Sequence, residues 1–97
     1  MKYDHMLPIG SLVKVYGVEN RLLIIGSNMA DEETGRVYDY GGCFYPVGFL
    51  GGSRVANFNH DDIEILYSVG LLDEESLEVQ KEEEETNRRA RENASGV

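Results

Sequence analysis

Residues 11–26, SLVKVYGVENRLLIIG, decide the fold of this 97-residue chain. Residues 11–16 are rich in β-branched and aromatic side chains, and glycines bound them on both sides, which is typical of a strand. Residues 22–25 are apolar at every position. Because successive side chains of a strand point to opposite faces, such a run indicates a strand that is covered on both sides. We therefore predict that residues 22–25 form the centre of a β-sheet.

Three more strands are predicted towards the C-terminus. Residues 27–35 are polar, so we expect a loop there, followed by a strand over residues 36–45 and a glycine-rich loop from Pro46 to Gly52. A short strand over residues 54–58 and a turn, NHDD, precede a last strand whose apolar residues alternate from Ile63 to Val69. Five short strands with glycine corners predict a mainly β (α+β) fold, a small curled antiparallel sheet or partly closed barrel.

A helix is predicted from Asp73, because the sequence there consists of strong helix formers and has no glycine or proline before Gly96. Its sizeable apolar residues are Leu72, Leu77 and Val79, so we expect only its first turns to dock on the sheet. Beyond about Lys81 it is polar all round, which predicts a frayed end. The chain is thus divided into a small β domain, residues 1–70, and an acidic C-terminal helix with a frayed tail, residues 71–97.

Charge and composition exclude several classes of function. Nine basic and 18 acidic residues give a net charge of −9, which disfavours nucleic acids and anionic membrane surfaces as partners. The single cysteine, Cys43, cannot form an intrachain disulfide, and no apolar run resembles a signal peptide or a membrane span. We expect a cytoplasmic protein without membrane insertion.

Residues with catalytic potential are few. His60 stands beside Asp61 and Asp62, which could orient an imidazole or bind a metal, but these residue types also stabilise turns without any chemistry. A metal-dependent hydrolase that uses these three residues is the weaker interpretation, and Cys43 is better explained as a small buried hydrophobe. Neither phosphate-loop motif, GxxxxGK[ST] nor GxGxxG, occurs. The sequence therefore predicts a protein that is not an enzyme and has no catalytic, cofactor-binding or metal-binding residues.

Aromatic residues are concentrated in one stretch, with six large rings within residues 38–58. One sheet face of a small domain does not readily bury so many rings, and tyrosine is favoured at protein interfaces. The alternative is that the rings form the core. We predict a protein-binding surface from this set and expect Tyr45 and Phe49 to be its exposed pair; the set consists of Tyr38, Tyr40, Phe44, Tyr45, Phe49 and Phe58.

Four segments together resemble a known family: LPIGSLVKVYG (residues 7–17), LLIIG (22–26), YDYGGCFYPVG (38–48) and FNHDDIEILYSVG (58–70). They are similar to domain of unknown function 4176, found in small proteins of Gram-positive bacteria that are often encoded beside LXG toxins of type VII secretion. The resemblance implies a non-catalytic accessory role, as a chaperone or targeting factor whose partner is an LXG toxin or one of its small partner proteins. It supplies no active site.

Two alternatives to this role stay open at the level of sequence. One is a small regulatory barrel that binds a peptide or metabolite in a cleft beside Tyr40, Phe44 and Tyr45. The other is an immunity protein, since an acidic surface can cover a basic site on a toxin.

Overall fold

The computed structural model describes residues 3–51 and 54–95. Residues 52 and 53 of the predicted glycine loop and residues 96 and 97 of the predicted tail lie outside these ranges. The described residues form one five-stranded antiparallel sheet followed by one long helix, which confirms the predicted mainly β (α+β) class. The elements are β1 (Leu12–Val15), β2 (Leu22–Ala30), β3 (Val37–Phe44), β4 (Val55–Phe58), a 3-10 helix (His60–Asp62), β5 (Ile63–Ser68) and α1 (Glu74–Ser95).

The strand order is β4-β3-β2-β1-β5, so β2 occupies the centre as predicted and the sheet is open. β2 is nine residues long and extends to Ala30, so it takes in the first four residues of the stretch 27–35 that the sequence predicts to be a loop. Met29 and Ala30 pair with Tyr38 and Val37 of β3. The prediction was wrong here because β3 supplies backbone partners, and half-exposed strand positions tolerate polar side chains. The connection is a tight turn in which the Asp31 N–H donates to the Arg36 carbonyl.

The core lies on the face of the sheet that we call the inner face. Val13 and Leu22 are direct partners on this face and both are fully buried. An N-terminal segment closes the core, since the side chains of Met6 and Leu7 are buried against it. The full buried cluster comprises Met6, Leu7, Val13, Val15, Leu22, Ile24, Tyr40, Phe58 and Ile63.

The alternation predicted for β5 is wrong beyond its first residue. Ile63 is buried, but Ile65 and Tyr67 are exposed, and Leu66 packs against the core instead. Two register irregularities interrupt the pairing of β1 with β5, and each shifts the side chains that follow to the other face. The face on which each β5 side chain lies therefore depends on the pairing with β1, and the alternation of apolar residues within β5 does not predict it.

Helix α1 docks through polar side chains, which corrects the prediction that its apolar first turns make the contact. Leu77 and Val79 are 42% and 51% exposed. The contacting side chains recur at helical spacing on one face, because residues three or four apart lie above one another; they are Gln80, Glu84, Asn87 and Arg91. The helix continues through Ser95. Within the described ranges, no helix combines the length and the apolar character needed to cross a lipid bilayer.

Candidate functional site

The side of the sheet opposite the core, which we call the outer face, carries an apolar row across four strands. Leu23 of β2 pairs with Leu12 of β1 and Cys43 of β3, and Cys43 pairs with Val55 of β4. Direct partners share a face, and Leu23 alternates with the buried Leu22 and Ile24, so the row lies outside. Cys43 is itself buried, as predicted for a small hydrophobe, while Leu12, Leu23 and Val55 are half-buried. This face is apolar without belonging to the core.

A depression adjoins the row where two glycines meet. A Cβ on Gly41 would lie 2.9 Å from Cγ of Met29, and a Cβ on Gly26 would lie 3.0 Å from its Sδ. The Met29 side chain therefore lies over both glycines, at a distance that a larger residue would not permit. The glycines within the strands thus create a hollow that a flexible thioether fills.

The loop after β3, residues 45–50, is the most exposed apolar segment next to this face; we call it the apolar loop. Tyr45, Val47, Phe49 and Leu50 are between 40% and 63% exposed. The loop returns towards its own strand, since the Gly48 N–H donates to the Phe44 carbonyl, and Gly48 has a φ of +90°, which favours glycine. The predicted exposure of Tyr45 and Phe49 is confirmed.

Phe49 also lines a groove of about 680 Å³ on the outer face, which we call the outer groove. Its walls are apolar side chains of β2 and β4, and its end is formed by consecutive acids of the β2–β3 turn. The side-chain amide oxygen of Asn57 is buried in this region without a hydrogen-bond partner. The lining residues are Ile25, Met29, Ala30, Asp31, Glu32, Glu33, Phe49, Val55 and Asn57.

An arginine holds the first ring of the apolar loop. The guanidinium carbon of Arg21 lies 4.6 Å from the ring centroid of Tyr45 and 5.6 Å from that of Tyr67. The backbone N–H of Tyr45 also donates to the Arg21 carbonyl, at 2.9 Å. Exposed cation–π contacts each contribute about 0.5–1 kcal/mol, so Tyr45 keeps a defined orientation while its ring stays accessible.

The six predicted rings do not form one surface. Tyr40 and Phe58 are direct partners on the inner face, buried with their centroids 5.6 Å apart, so the inclusion of these two in a binding surface is wrong. Both rings are buried because the N-terminal segment covers them, and the Leu7 N–H of that segment donates to the Tyr40 hydroxyl. The ring of Tyr40, one of the three predicted to line a ligand cleft, is therefore not accessible.

The remaining four rings divide between the core and the surface. Phe44 packs against the core, and Tyr38 is half-buried beneath the Arg36 guanidinium, at 5.0 Å. Of these four rings, Tyr45 and Phe49 are the exposed ones. The sequence did not predict the residues that surround these two rings. The apolar run 22–25 was the available signal, because it indicated a strand covered on both faces. The surrounding residues are Arg21, Leu23, Ile25, Met29, Val47, Leu50 and Val55.

A second cluster, of polar residues, attaches helix α1 to the sheet. Asp39 of β3 is 3% exposed and accepts hydrogen bonds from the His60 N–H, from Asn87 and from Arg91, at 2.5–3.1 Å. Burial alone would raise the pKa of the Asp39 carboxyl, but these donors outweigh it and the pKa is lowered. Asn87 also donates to Asn28, which has a φ of +50°. We call this cluster the polar clasp; its donors keep the Asp39 carboxylate ionised.

His60 is part of the same attachment. The Tyr40 hydroxyl accepts the Leu7 N–H and forms a second hydrogen bond with Nδ1 of His60, at 2.7 Å. Nε2–H of His60 then donates to the Tyr3 carbonyl. Burial raises the pKa of the Tyr40 hydroxyl well above its usual value, which keeps it a donor. Both imidazole nitrogens are thereby used to tie the N-terminal segment to β3.

The predicted turn role of the NHDD segment is confirmed. Asp62 accepts the Asn59 N–H at 2.8 Å, and the Asn59 side chain accepts the Asp39 N–H at 3.0 Å. In the parts of the chain that the structure describes, no three His, Cys, Asp or Glu side chains converge on a point where they could hold a metal ion. The segment therefore acts as a connector between β4 and β5.

Comparison with known proteins identifies the family of the chain. The family model for Domain of unknown function (DUF4176) matches residues 6–79, which include the N-terminal segment, all five strands and the start of α1. No curated protein and no solved structure matches the chain. Because the family model covers well over half of the sequence, the chain belongs to the family Domain of unknown function (DUF4176).

Proposed function

We propose that this protein is a non-catalytic, protein-binding accessory factor, and that the apolar loop together with the outer groove is its docking surface. The observation that carries the proposal is the apolar loop itself: four large apolar side chains within six residues are exposed next to an apolar sheet face. Loops on a rigid sheet are the usual location of binding residues. Contiguous exposed apolar surface of this kind marks interaction sites on soluble proteins.

The energetics favour a protein partner. Apolar surface gains about 25 cal/mol per Å² when it is removed from water, so the four side chains would contribute about 4–8 kcal/mol on burial. Ordering and association costs reduce this gain, and the outer groove adds further surface. An affinity in the micromolar range corresponds to about 8 kcal/mol, which a surface of this size can reach.

The partner that we propose is an LXG toxin of type VII secretion, or one of the small proteins that accompany it, with this chain acting as chaperone or targeting factor in the cytoplasm. Support for the partner comes from the family resemblance. Support for the compartment comes from the single thiol, Cys43, which suits a reducing environment. The polar clasp at Asp39 leaves the outer face free of the helix contacts described above.

Copurification tests the proposal. The tagged chain is coexpressed with an LXG toxin encoded beside a member of the family, and we expect the two to copurify. Phe49→Ser combined with Leu50→Ser should lower the recovered toxin at least about tenfold, since each side chain contributes about 1–2 kcal/mol. Both residues are exposed, so unfolding by urea should change by less than about 0.5 kcal/mol.

Leu71→Ser is the matched control, because Leu71 is 77% exposed, lies in the connection between β5 and α1 and does not line the outer groove. It should leave toxin recovery unchanged. If no LXG toxin copurifies with the wild-type chain, and deletion leaves toxin level and export unchanged, the proposal fails. Rescue from toxicity on coexpression, without any effect on export, would instead identify an immunity protein.

A further inference from the structure

We infer that the outer groove recognises a polypeptide segment that carries large apolar side chains next to a lysine or arginine. This inference rests on the proposed function and gives its partner a chemistry. The groove has two parts of different character: apolar walls from β2, β4 and the apolar loop, and an acidic end from the β2–β3 turn. A segment that is only apolar would leave the second part unused.

The acidic end is held in place by the backbone of the turn. One carboxylate oxygen of Asp31 accepts the N–H groups of Glu33 and Thr34, and the Gly35 N–H donates to the Asp31 carbonyl. Glu32 and Glu33 are exposed, and no basic side chain of the described residues forms an ion pair with either. Arg36, the nearest basic residue in sequence, stacks on Tyr38 instead. The acidic end of the groove therefore consists of three adjacent residues whose charge no ion pair of the described residues neutralises.

The floor of the groove offers a second polar feature. Above Gly41, the Met29 Cγ and the Asn57 Oδ1 lie 2.9 and 3.4 Å from the position that a Cβ would take. The Asn57 oxygen is buried and has no donor. Met29 is flexible, so an entering side chain can displace it and fill the hollow over the two glycines. An N–H group brought in with that side chain would satisfy the Asn57 oxygen, which is costly to leave unpaired.

The class of partner follows from charge and size. The acidic end and the net charge of −9 oppose nucleic acids and anionic lipids. A groove of about 680 Å³ that is open along the sheet is large enough for several side chains of one polypeptide segment. Apolar anchors with a flanking cation fit both parts of the groove, and the acids would also speed association at low ionic strength.

Panning a phage-displayed library of random 12-residue peptides on the full chain tests the inference. We expect the enriched peptides to combine large apolar residues with lysine or arginine, and to lose binding to the Phe49→Ser, Leu50→Ser variant. In a second selection on the Glu32→Lys, Glu33→Lys variant, the preference should change to acidic peptides. Fluorescence polarisation at low salt should show that the original peptides bind this variant about tenfold more weakly.

A matched control separates local charge from net charge. Glu78→Lys with Glu82→Lys makes the same change in net charge on the exposed part of α1, and peptide affinity should change less than about twofold. Equal loss in both variants, enrichment without basic residues, or no peptide that depends on Phe49 would each overturn the inference. The proposed function would survive these results if toxin copurification still depended on Phe49 and Leu50.

Discussion

Replacing Asp39 by asparagine tests whether the polar clasp fixes the helix to the sheet. The change keeps the size of the side chain, so it leaves no cavity, but it removes the charge and presents an NH₂ group to donors. The Asp39 carboxylate now accepts from the His60 N–H at 2.8 Å, from Asn87 at 2.5 Å and from Arg91 at 2.8 and 3.1 Å.

The magnitude follows from these contacts. Hydrogen bonds to a charged group contribute about 1.5–3 kcal/mol each, and Arg91 can return to water because its side chain is 61% exposed. With its contribution discounted, Asp39→Asn should lower the free energy of unfolding by about 2–4 kcal/mol. For a chain of this length, that lowers the melting temperature by about 10–20 °C.

The dependence on pH has a definite sign. The pKa of Asp39 is lowered in the folded state from 3.8, so the unfolded chain binds more protons near that pH. The stability that the carboxylate provides is complete above pH 3.8 and is lost as the pH falls through the folded pKa. The difference between wild type and Asp39→Asn should therefore be full at pH 7 and shrink below pH 3.8.

Urea unfolding followed by circular dichroism measures both effects, at pH 7 and at a series of acidic pH values. Asp61→Asn is the matched control, because Asp61 is exposed in the adjacent 3-10 helix and should change stability by less than about 0.5 kcal/mol. Equal midpoints for wild type and Asp39→Asn at pH 7 would refute the clasp as a source of stability.

Two further predictions concern the attachment of the chain ends. Asn87→Ala removes the hydrogen-bond donors to Asn28 and Asp39, so it should lower the free energy of unfolding in urea by about 1–3 kcal/mol. Thr86→Ala, at the exposed neighbouring position, is the control and should have little effect. Equal effects of the two changes would mean that α1 is not docked at Asn87. Gly70→Ala places a methyl group against the Ile9 carbonyl oxygen and the Ser11 nitrogen, so it should lower the free energy of unfolding by about 1–3 kcal/mol. Thermal unfolding should show this as a lower melting temperature, and an unchanged melting temperature would contradict this packing.

Local sequence patterns predicted much of the sheet and little of its exterior. The strands around residues 11–16, 22–25 and 36–45 were predictable because β-branched and aromatic residues between glycines suit a pleated surface. The NHDD turn was predictable for a similar local reason, since Asn59 and Asp62 bond to nearby backbone groups. The exposure of Tyr45 and Phe49 followed from their position beside a glycine loop.

The errors arose where a distant part of the chain changed the environment of a residue. Tyr40 is buried because Leu7 covers it, over a separation of 33 residues, although Tyr45 nearby in the same stretch is exposed. Ile65 is exposed because irregular pairing with β1 shifts the faces of β5. Helix α1 docks through Asn87 and Arg91, side chains that an amphipathicity argument assigns to water.

The amino-acid sequence determined the strands, the helix and the acidic character of this protein, because these depend on neighbours within a few residues. Only the tertiary structure decided which apolar side chains form the core and which form the outer face. The physical reason is that burial depends on strand register and on what covers each face. The same holds for the clasp: Asp39 stays ionised in the interior because donors from the 3-10 helix and from α1 converge on it.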